Sequence, residues 1–337
     1  MRVLVDGQVF TKPVWHGSLI RLFDMAVEGR HRVFPDPLDA IQFEKWLNDP
    51  DDSVRDEIRF AIESGFDLES RRPALRQVRI TTASRARWSE NSELPLGEAL
   101  QVLSQPLSVV VENQRNDRDF LLAVADFHQR RELQLALKKH WLRFEHGGGL
   151  QEMFQTLKEI DVVSGRRARS FWIFDSDAMA PGCPSPGARR LRRMCERKVA
   201  FHCLERRSAE NYLPLPSIRE IWAKRKEQRE RARKARAFER LSDRQRHHFN
   251  MKNGFSGDDE YLKTLKRKAN TAKIADEVRA LFASLDAETR ALLSSGLDSG
   301  IVTIFSDPHL HQEDAWFEND GLRSETRPMI DRLIDLS

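Results

Sequence analysis

The sequence predicts an α/β protein: a parallel sheet flanked by helices, preceded by a mixed α/β region and followed by a helical one. Three observations predict it. Short apolar runs at Leu107–Val111, Ser170–Phe174 and 199–204 read as strands buried on both faces. Segments with apolar residues at helical spacing lie between them, notably Phe120, Leu121, Val124 and Phe127, and then Leu150, Met153, Phe154, Leu157 and Ile160. Glycine and proline clusters punctuate the junctions. Strands alternating with helices imply parallel pairing through right-handed crossovers.

In chain order, residues 1–6 read as a short strand. Helical spacing follows over 14–28, 39–47 and 53–64, and a strand over 77–82. The polar stretch 89–95, closed by Pro95, is expected to bound the mixed region of residues 1–100. The sheet core is expected over 104–217. Its strands are Leu107–Val111, 141–144 ahead of the three-glycine turn 147–149, Ser170–Phe174 and 199–204. The loop 181–187, with three prolines and two glycines, is expected to be irregular, leading into a basic helix over 188–198. A charged helix over 218–241 opens a basic helical extension, 218–290. Between Arg219 and Arg240 it carries ten Lys or Arg against four Glu. A turn at 252–257 and a helix over 262–285 follow, and 291–337 forms a C-terminal extension without a motif.

Composition narrows the function. The 337 residues carry 56 Lys and Arg against 52 Asp and Glu, a net charge of +4, so this is neither a strongly basic coat protein nor an acidic tail. Hydrophobic residues make up 40%, enough for a real core. Three cysteines, Cys183, Cys195 and Cys203, without a CxxC pair point to a reducing cytoplasm and give little support for structural zinc. His202-Cys203, in an apolar stretch, is expected on a buried strand rather than around a metal. No window approaches the ~20 apolar residues of a membrane span. No GxxxxGK[ST] loop occurs, so any ATP-driven step would belong to another chain.

Chemistry in a parallel sheet gathers beyond the carboxyl ends of its strands. Glu112 follows the first core strand, and Asp175 and Asp177 follow the third. Alternation on an extended segment would point Asp175 and Asp177 the same way. Two carboxylates faced by a third make an oxygen-rich cage of the kind Mg²⁺ or Mn²⁺ requires, and without the ion their repulsion raises their pKa values. The competing reading, acids serving as helix caps and turn formers, applies to each residue taken alone.

At these residues the sequence resembles the TOPRIM family, whose motifs are a Glu after its first strand and a DxD after its third. They stand here as Val109-Val110-Val111-Glu112-Asn113 and Phe171-Trp172-Ile173-Phe174-Asp175-Ser176-Asp177. The segment Glu210-Asn211-Tyr212-Leu213 is similar to the Glu-Asn-Tyr-Leu signature of the OLD-type branch of TOPRIM nucleases. The resemblance covers about residues 104–275, half of the chain. It departs from the family in three places. Asn113 stands where Gly is usual. The acid expected four residues after the Glu is replaced by Asp117 at five and Asp119 at seven, leaving open which faces the site. No ABC ATPase domain accompanies the core.

The resemblance implies a Rossmann-like TOPRIM core and metal-dependent phosphodiester hydrolysis. Glu112, Asp175 and Asp177 would coordinate Mg²⁺ or Mn²⁺, with Asp117 as a further ligand candidate and Glu210 completing a second metal position or acting as a structural partner. Glu205 is expected to be structural. Lys252 would stabilise transition-state charge, with Lys268 and Lys273 as rivals. A topoisomerase would need a nucleophilic Tyr in a breakage domain; Tyr212 belongs to the motif and Tyr261 to a charged helical segment. A DnaG-like primase would bring a zinc module. A nuclease remains, acting on DNA or RNA, tRNA included, as the toxic effector of an anti-phage complex with a separate ATPase. The alternative is a TOPRIM subunit that binds nucleic acid without cutting it. Nucleic acid is expected along the 219–240 helix and near Arg189, Arg190, Arg192 and Arg193. Residues 1–100 and 290–337 are expected to serve self-association or the ATPase.

Overall fold

The computed structural model describes every residue except 89–90, 161–167, 225–227, 266–270 and 320. The chain forms two four-stranded parallel sheets. The first contains β1 (Arg2–Val5), β2 (Arg32–Pro35), β3 (Gln77–Thr81) and β4 (Asn91–Pro95), in the order β2-β1-β3-β4. Its helices are α1 (His16–Val27), α2 (Ala40–Leu47), α3 (Asp52–Arg71) and α4 (Leu96–Leu103). The second contains β5 (Leu107–Val111), β6 (Leu142–His146), β7 (Ser170–Phe174) and β8 (Ala200–Cys203), in the order β6-β5-β7-β8. Between them run α5 (Gln114–Val124), α6 (Phe127–Lys138), α7 (Leu150–Glu159) and α8 (Pro186–Lys198).

The two sheets therefore share one strand order: the first strand is internal, the second lies on one side of it, and the third and fourth on the other. The order reverses between the first and third strands, the place where crevices open at the carboxyl edge of such sheets. In the second sheet that place is the β5–β7 boundary, with Ser108 in register with Ser170 and Val110 with Trp172.

Period-two alternation explains why β5 and β7 read as continuous apolar runs. Val109, Val111, Phe171 and Ile173 point into one core, and Val110, Trp172 and Phe174 into another on the opposite face. The first sheet has its own core, including Val3, Val5, Val33, Val78 and Ile80.

Three sequence expectations need correction. The polar stretch ending at Pro95 is not a boundary. Its residues 91–95 pair with β3 as an edge strand, where Pro95 is tolerated at the terminus. The loop 181–187 ends earlier than expected, because Pro186 occupies the first turn of α8, where its missing N–H is no loss, and Ser185 caps the helix. The 218–241 segment is not one solvated helix. A π-helical turn at Ile218–Trp222 precedes α9 (Gln228–Glu239), and Trp222, Ala235, Phe238 and Leu241 are buried.

The remaining helices are α10 (Asp243–His248), α11 (Gly254–Leu265), α12 (Thr271–Leu281), α13 (Ala287–Leu292), α14 (Asp314–Asn319) and α15 (Arg323–Leu336). They cover one face of the second sheet, sharing a core with Val109 and Phe171 through Phe249, Phe255, Phe282 and Phe305. Arg169 closes the seam between the parts. Its guanidinium donates to the carbonyls of Gln105 (3.1 Å) and Leu336 (2.8 Å) and to Ser337 (3.0 Å), and it is only 2% exposed. Arg72 on the first sheet's side pairs with Asp335 of α15 at 2.6 Å. Among the described residues no helix is long and apolar enough to cross a membrane. The three cysteines are free thiols.

Candidate active site

The three acids expected at strand ends meet at the β5–β7 boundary. Glu112 follows β5, and its Oε1 accepts the backbone N–H of Asp175, the residue after β7, at 3.0 Å. Asp175 in turn accepts the backbone N–H of Ala209 through Oδ1 at 3.1 Å, joining the loop after β8 to the pair. Asp177 lies at the exposed rim. It departs from the extended alternation expected of the DxD: its φ is +50°, in the left-handed region. That conformation is anchored by a hydrogen bond from the Asp177 N–H to the Arg207 carbonyl, 2.8 Å.

The structure answers which acid after Glu112 faces the site. Asn113 caps α5, accepting the N–H of Asn116, and its own N–H donates to Asp117 Oδ2 at 2.7 Å. Asp117 is thereby turned back toward the strand ends, and Asn113 serves as a helix cap. Asp119 pairs with its neighbour Arg118 at 2.9 Å instead.

Glu210, 3% exposed, forms an ion pair with Lys252 at 2.8 Å. Asn211 holds this pairing in place: its amide donates to the carbonyls of Arg246 (2.7 Å) and Phe249 (3.0 Å), fixing the segment that leads to Lys252. Tyr212 donates its hydroxyl to Glu325 of α15, which also accepts the Glu205 N–H at 2.8 Å and meets His202 at 2.7 Å. Glu205 is exposed and outside the acid group, and His202 is engaged with a carboxylate. Of the rival lysines, Lys273 is exposed and lies near Cys183, while Lys268 falls outside the described residues.

Electrostatics bind these residues into one unit. Burial pushes the Glu112 carboxyl up to about 7; the Asp175 N–H opposes this, and Asp177 and Asp117 add to it. Burial likewise lifts Asp117 to about 6, against the pull of the Asn113 N–H and with the push of Glu210. Asp175 is raised well above the carboxylate range, by burial first and then by Glu112, Glu210 and Asp117. Burial raises Asp177 against the opposing charges of Arg207 and Lys252. Burial alone would lower Lys252, but the Glu210 carboxylate outweighs it and the ammonium is held above its ordinary value.

A second acid group occupies the corresponding edge of the first sheet. Asp6, Asp36 and Asp39 bring ligand atoms within 4.8 Å of one another, tighter than the acids at β5 and β7, which form no such triple among the described residues. The first group is internally satisfied, however. Arg79 reaches Asp6 at 2.8 Å and Asp36 at 2.6 Å, and Asp39 accepts the Gly7 N–H at 2.8 Å. At β5–β7 Glu210 pairs with Lys252, whereas Glu112, Asp117, Asp175 and Asp177 enter no ion pair among the described residues and meet the charges of Lys252 and Arg207 only as neighbours. The all-oxygen donor set of the carboxylates suits a hard divalent cation, with Glu112, Asp117, Asp175 and Asp177 as the groups to hold it. No family model matches the chain, and no curated protein or solved structure is significantly similar to it.

Three residues of the site escape sequence reasoning. Gly149, at φ +87°, lies beside Glu112: a Cβ there would stand 3.9 Å from its Oε2. His146, at the end of β6, lies within electrostatic reach of Asp117. The glycine turn was legible as a turn, and its place follows from β6 being the neighbour of β5. Arg207, which anchors Asp177, makes a bidentate pair with Asp258 of α11 at 2.9 and 2.7 Å. Nothing in the local sequence signals a pairing across 51 residues.

Proposed function

We propose that the chain is a Mg²⁺- or Mn²⁺-dependent nuclease with a TOPRIM-type core, hydrolysing phosphodiester bonds of DNA or RNA. The observation that carries this reading is the acid group at the β5–β7 boundary, four of whose carboxylates enter no ion pair among the described residues. Clustered, partly buried carboxylates without matching cations are costly, and a bound divalent ion is the simplest charge that offsets them. In the acid group of the first sheet, by contrast, Arg79 forms ion pairs with two of the three aspartates, Asp6 and Asp36.

Glu112, Asp117, Asp175 and Asp177 would hold the metal, which when bound supplies an activated water and Lewis-acid neutralisation at phosphorus. The chain's own groups do the rest. The Asp175 N–H orients the Glu112 carboxylate, and the Ala209 N–H orients Asp175. Glu210 keeps Lys252 charged and aimed at the acids, where its ammonium can meet the negative charge developing on phosphate oxygens. A separate ATPase partner and an antiviral role rest on the resemblance to OLD-type proteins alone.

One observation favours the alternative, a subunit that binds nucleic acid without cutting it. No three of these carboxylates converge within 4.8 Å, so closing on a cation requires side-chain rotation. Purified protein with Mg²⁺ or Mn²⁺, given plasmid and tRNA, separates the readings. Cleavage by the wild type that is lost in Glu112→Ala and Asp175→Ala supports the nuclease. Identical behaviour of all three proteins, with or without an ATPase partner, defeats it.

A further inference from the structure

The 13-residue helix α8 begins at the acid site and ends at a cleft on the opposite edge of the sheet. Its N-terminal cap, Ser185, also bonds the Asp177 carboxyl, so the positive end of the helix adjoins the DxD. Helices in parallel α/β units return antiparallel to the strands, and α8 runs roughly 20 Å back along the sheet at 1.5 Å per residue. Ala188, Leu191 and Cys195 face inward. The outward side carries Arg189, Arg190, Arg192, Arg193 and Arg197, all exposed. Arg189, Arg193 and Arg197 follow at intervals of four and form one ridge. Arg189 and Arg193 enter no ion pair among the described residues, whereas Arg192 pairs with Glu196 at 3.3 Å.

Where α8 ends, a cleft of about 690 Å³ opens between the two sheets. Arg76, Arg197, Lys198 and Arg332 line it against one acid, Glu196, and Trp88 forms part of its wall. That size lies within the roughly 300–1,000 Å³ of ligand clefts. The basic ridge thus connects an acid site to a basic cleft holding an aromatic ring. On the charged α9 segment Arg233 and Arg236 are exposed as well, but three of its cations are engaged. Arg231 is held by Asp298 at 3.0 Å, Lys234 by Glu230 at 3.5 Å and Arg240 by Glu288 at 3.7 Å.

We propose that a single-stranded nucleic acid runs from the acid site along the outer face of α8 into this cleft, its phosphodiester backbone following the Arg189–Arg193–Arg197 ridge and an unpaired base stacking on Trp88. Single strands suit the arrangement because a backbone-tracking basic groove with an aromatic platform holds unpaired bases without reading sequence. The inference rests on the nucleic-acid reading of the site but not on its cutting.

The test is fluorescence anisotropy of 5′-labelled 20-nucleotide single-stranded DNA and RNA with the full chain in EDTA, over a salt series. Arg189→Glu/Arg193→Glu is expected to weaken binding at least tenfold and to flatten the log–log salt slope by about one to two units, since each backbone contact contributes about 0.7. Trp88→Ala is expected to weaken it several-fold, without change in the salt slope. Arg233→Glu/Arg236→Glu on α9 is expected to leave affinity within twofold. Unchanged binding by the α8 variant, equal loss from the α9 variant, or equally tight binding of duplex would each overturn the proposal. So would absence of wild-type binding. Circular dichroism of each variant checks that the exposed substitutions leave the fold intact. Hydrolysis of bis(p-nitrophenyl) phosphate by wild type with Mn²⁺ separates the two claims. Binding along α8 without hydrolysis overturns the nuclease and keeps the path; hydrolysis with α8-independent binding does the reverse.

Discussion

Glu112 couples the site to pH. Its carboxyl titrates near 7 in the folded chain, against an ordinary value of 4.5, so between those values the folded state holds a proton that the unfolded state has lost. Its contribution to metal-free stability is therefore complete below about pH 4.5 and is lost as pH rises through 7. Asp117, raised to about 6 from 3.8, acts in the same direction over a lower window. Calorimetry in EDTA is expected to show stability falling between pH 5 and 8 by on the order of 1–3 kcal/mol. Glu112→Gln is expected to flatten that fall. With excess Mn²⁺ the trend is expected to reverse, because protons then compete with the metal. Gly149 supplies a second residue-scale prediction. Its φ of +87° strains any side chain, whereas a Cβ would reach only ordinary contact with Glu112. Gly149→Ala is expected to cost about 1–2 kcal/mol in urea denaturation.

At the scale of elements, the site depends on three connections that no local pattern announces. Asn211 ties the loop after β8 to the segment before Lys252, Tyr212 ties it to α15, and Arg207 ties it to α11. The Glu-Asn-Tyr-Leu segment was legible as a motif, yet its physical roles appear only in the fold: an ion-pair partner, a backbone clamp and an anchor. The same holds for the DxD. Its position after β7 followed from strand pattern, but the left-handed turn at Asp177 overrides the alternation expected of an extended segment. The Arg207–Asp258 pair is mostly buried, with side-chain exposures of 12% and 4%. Removing one partner strands a buried charge, so Asp258→Ala is expected to destabilise the chain by about 3–5 kcal/mol. An Arg207→Asp/Asp258→Arg exchange is expected to recover part of this, as read from denaturant midpoints. Mn²⁺ affinity should fall in Asp258→Ala, because Asp177 loses its support.

At the scale of the whole molecule, the second sheet was legible because β5 and β7 are apolar on both faces, and the first was less so because β4 carries Ser92, Glu93 and Pro95. That the two sheets repeat one strand order could not be read from residues 1–100, since pairing is not written in composition. The C-terminal residues gave no motif, although α15 contributes Glu325 to the site's support and Asp335 to the seam. Arg169 joins Gln105 to the chain's last two residues, and Arg169→Ala removes the donor that meets the buried Leu336 carbonyl. It is expected to lower stability by about 2–4 kcal/mol while leaving Mn²⁺ affinity within twofold, since the seam lies away from the acid site. The central claim is that a divalent cation belongs at the β5–β7 boundary rather than at the tighter acid group of the first sheet. Anomalous diffraction from crystals soaked in Mn²⁺ tests it most directly. A peak among Glu112, Asp175 and Asp177 that disappears in Asp175→Asn is the predicted result; a peak only at Asp6, Asp36 and Asp39, or none at either, would contradict it.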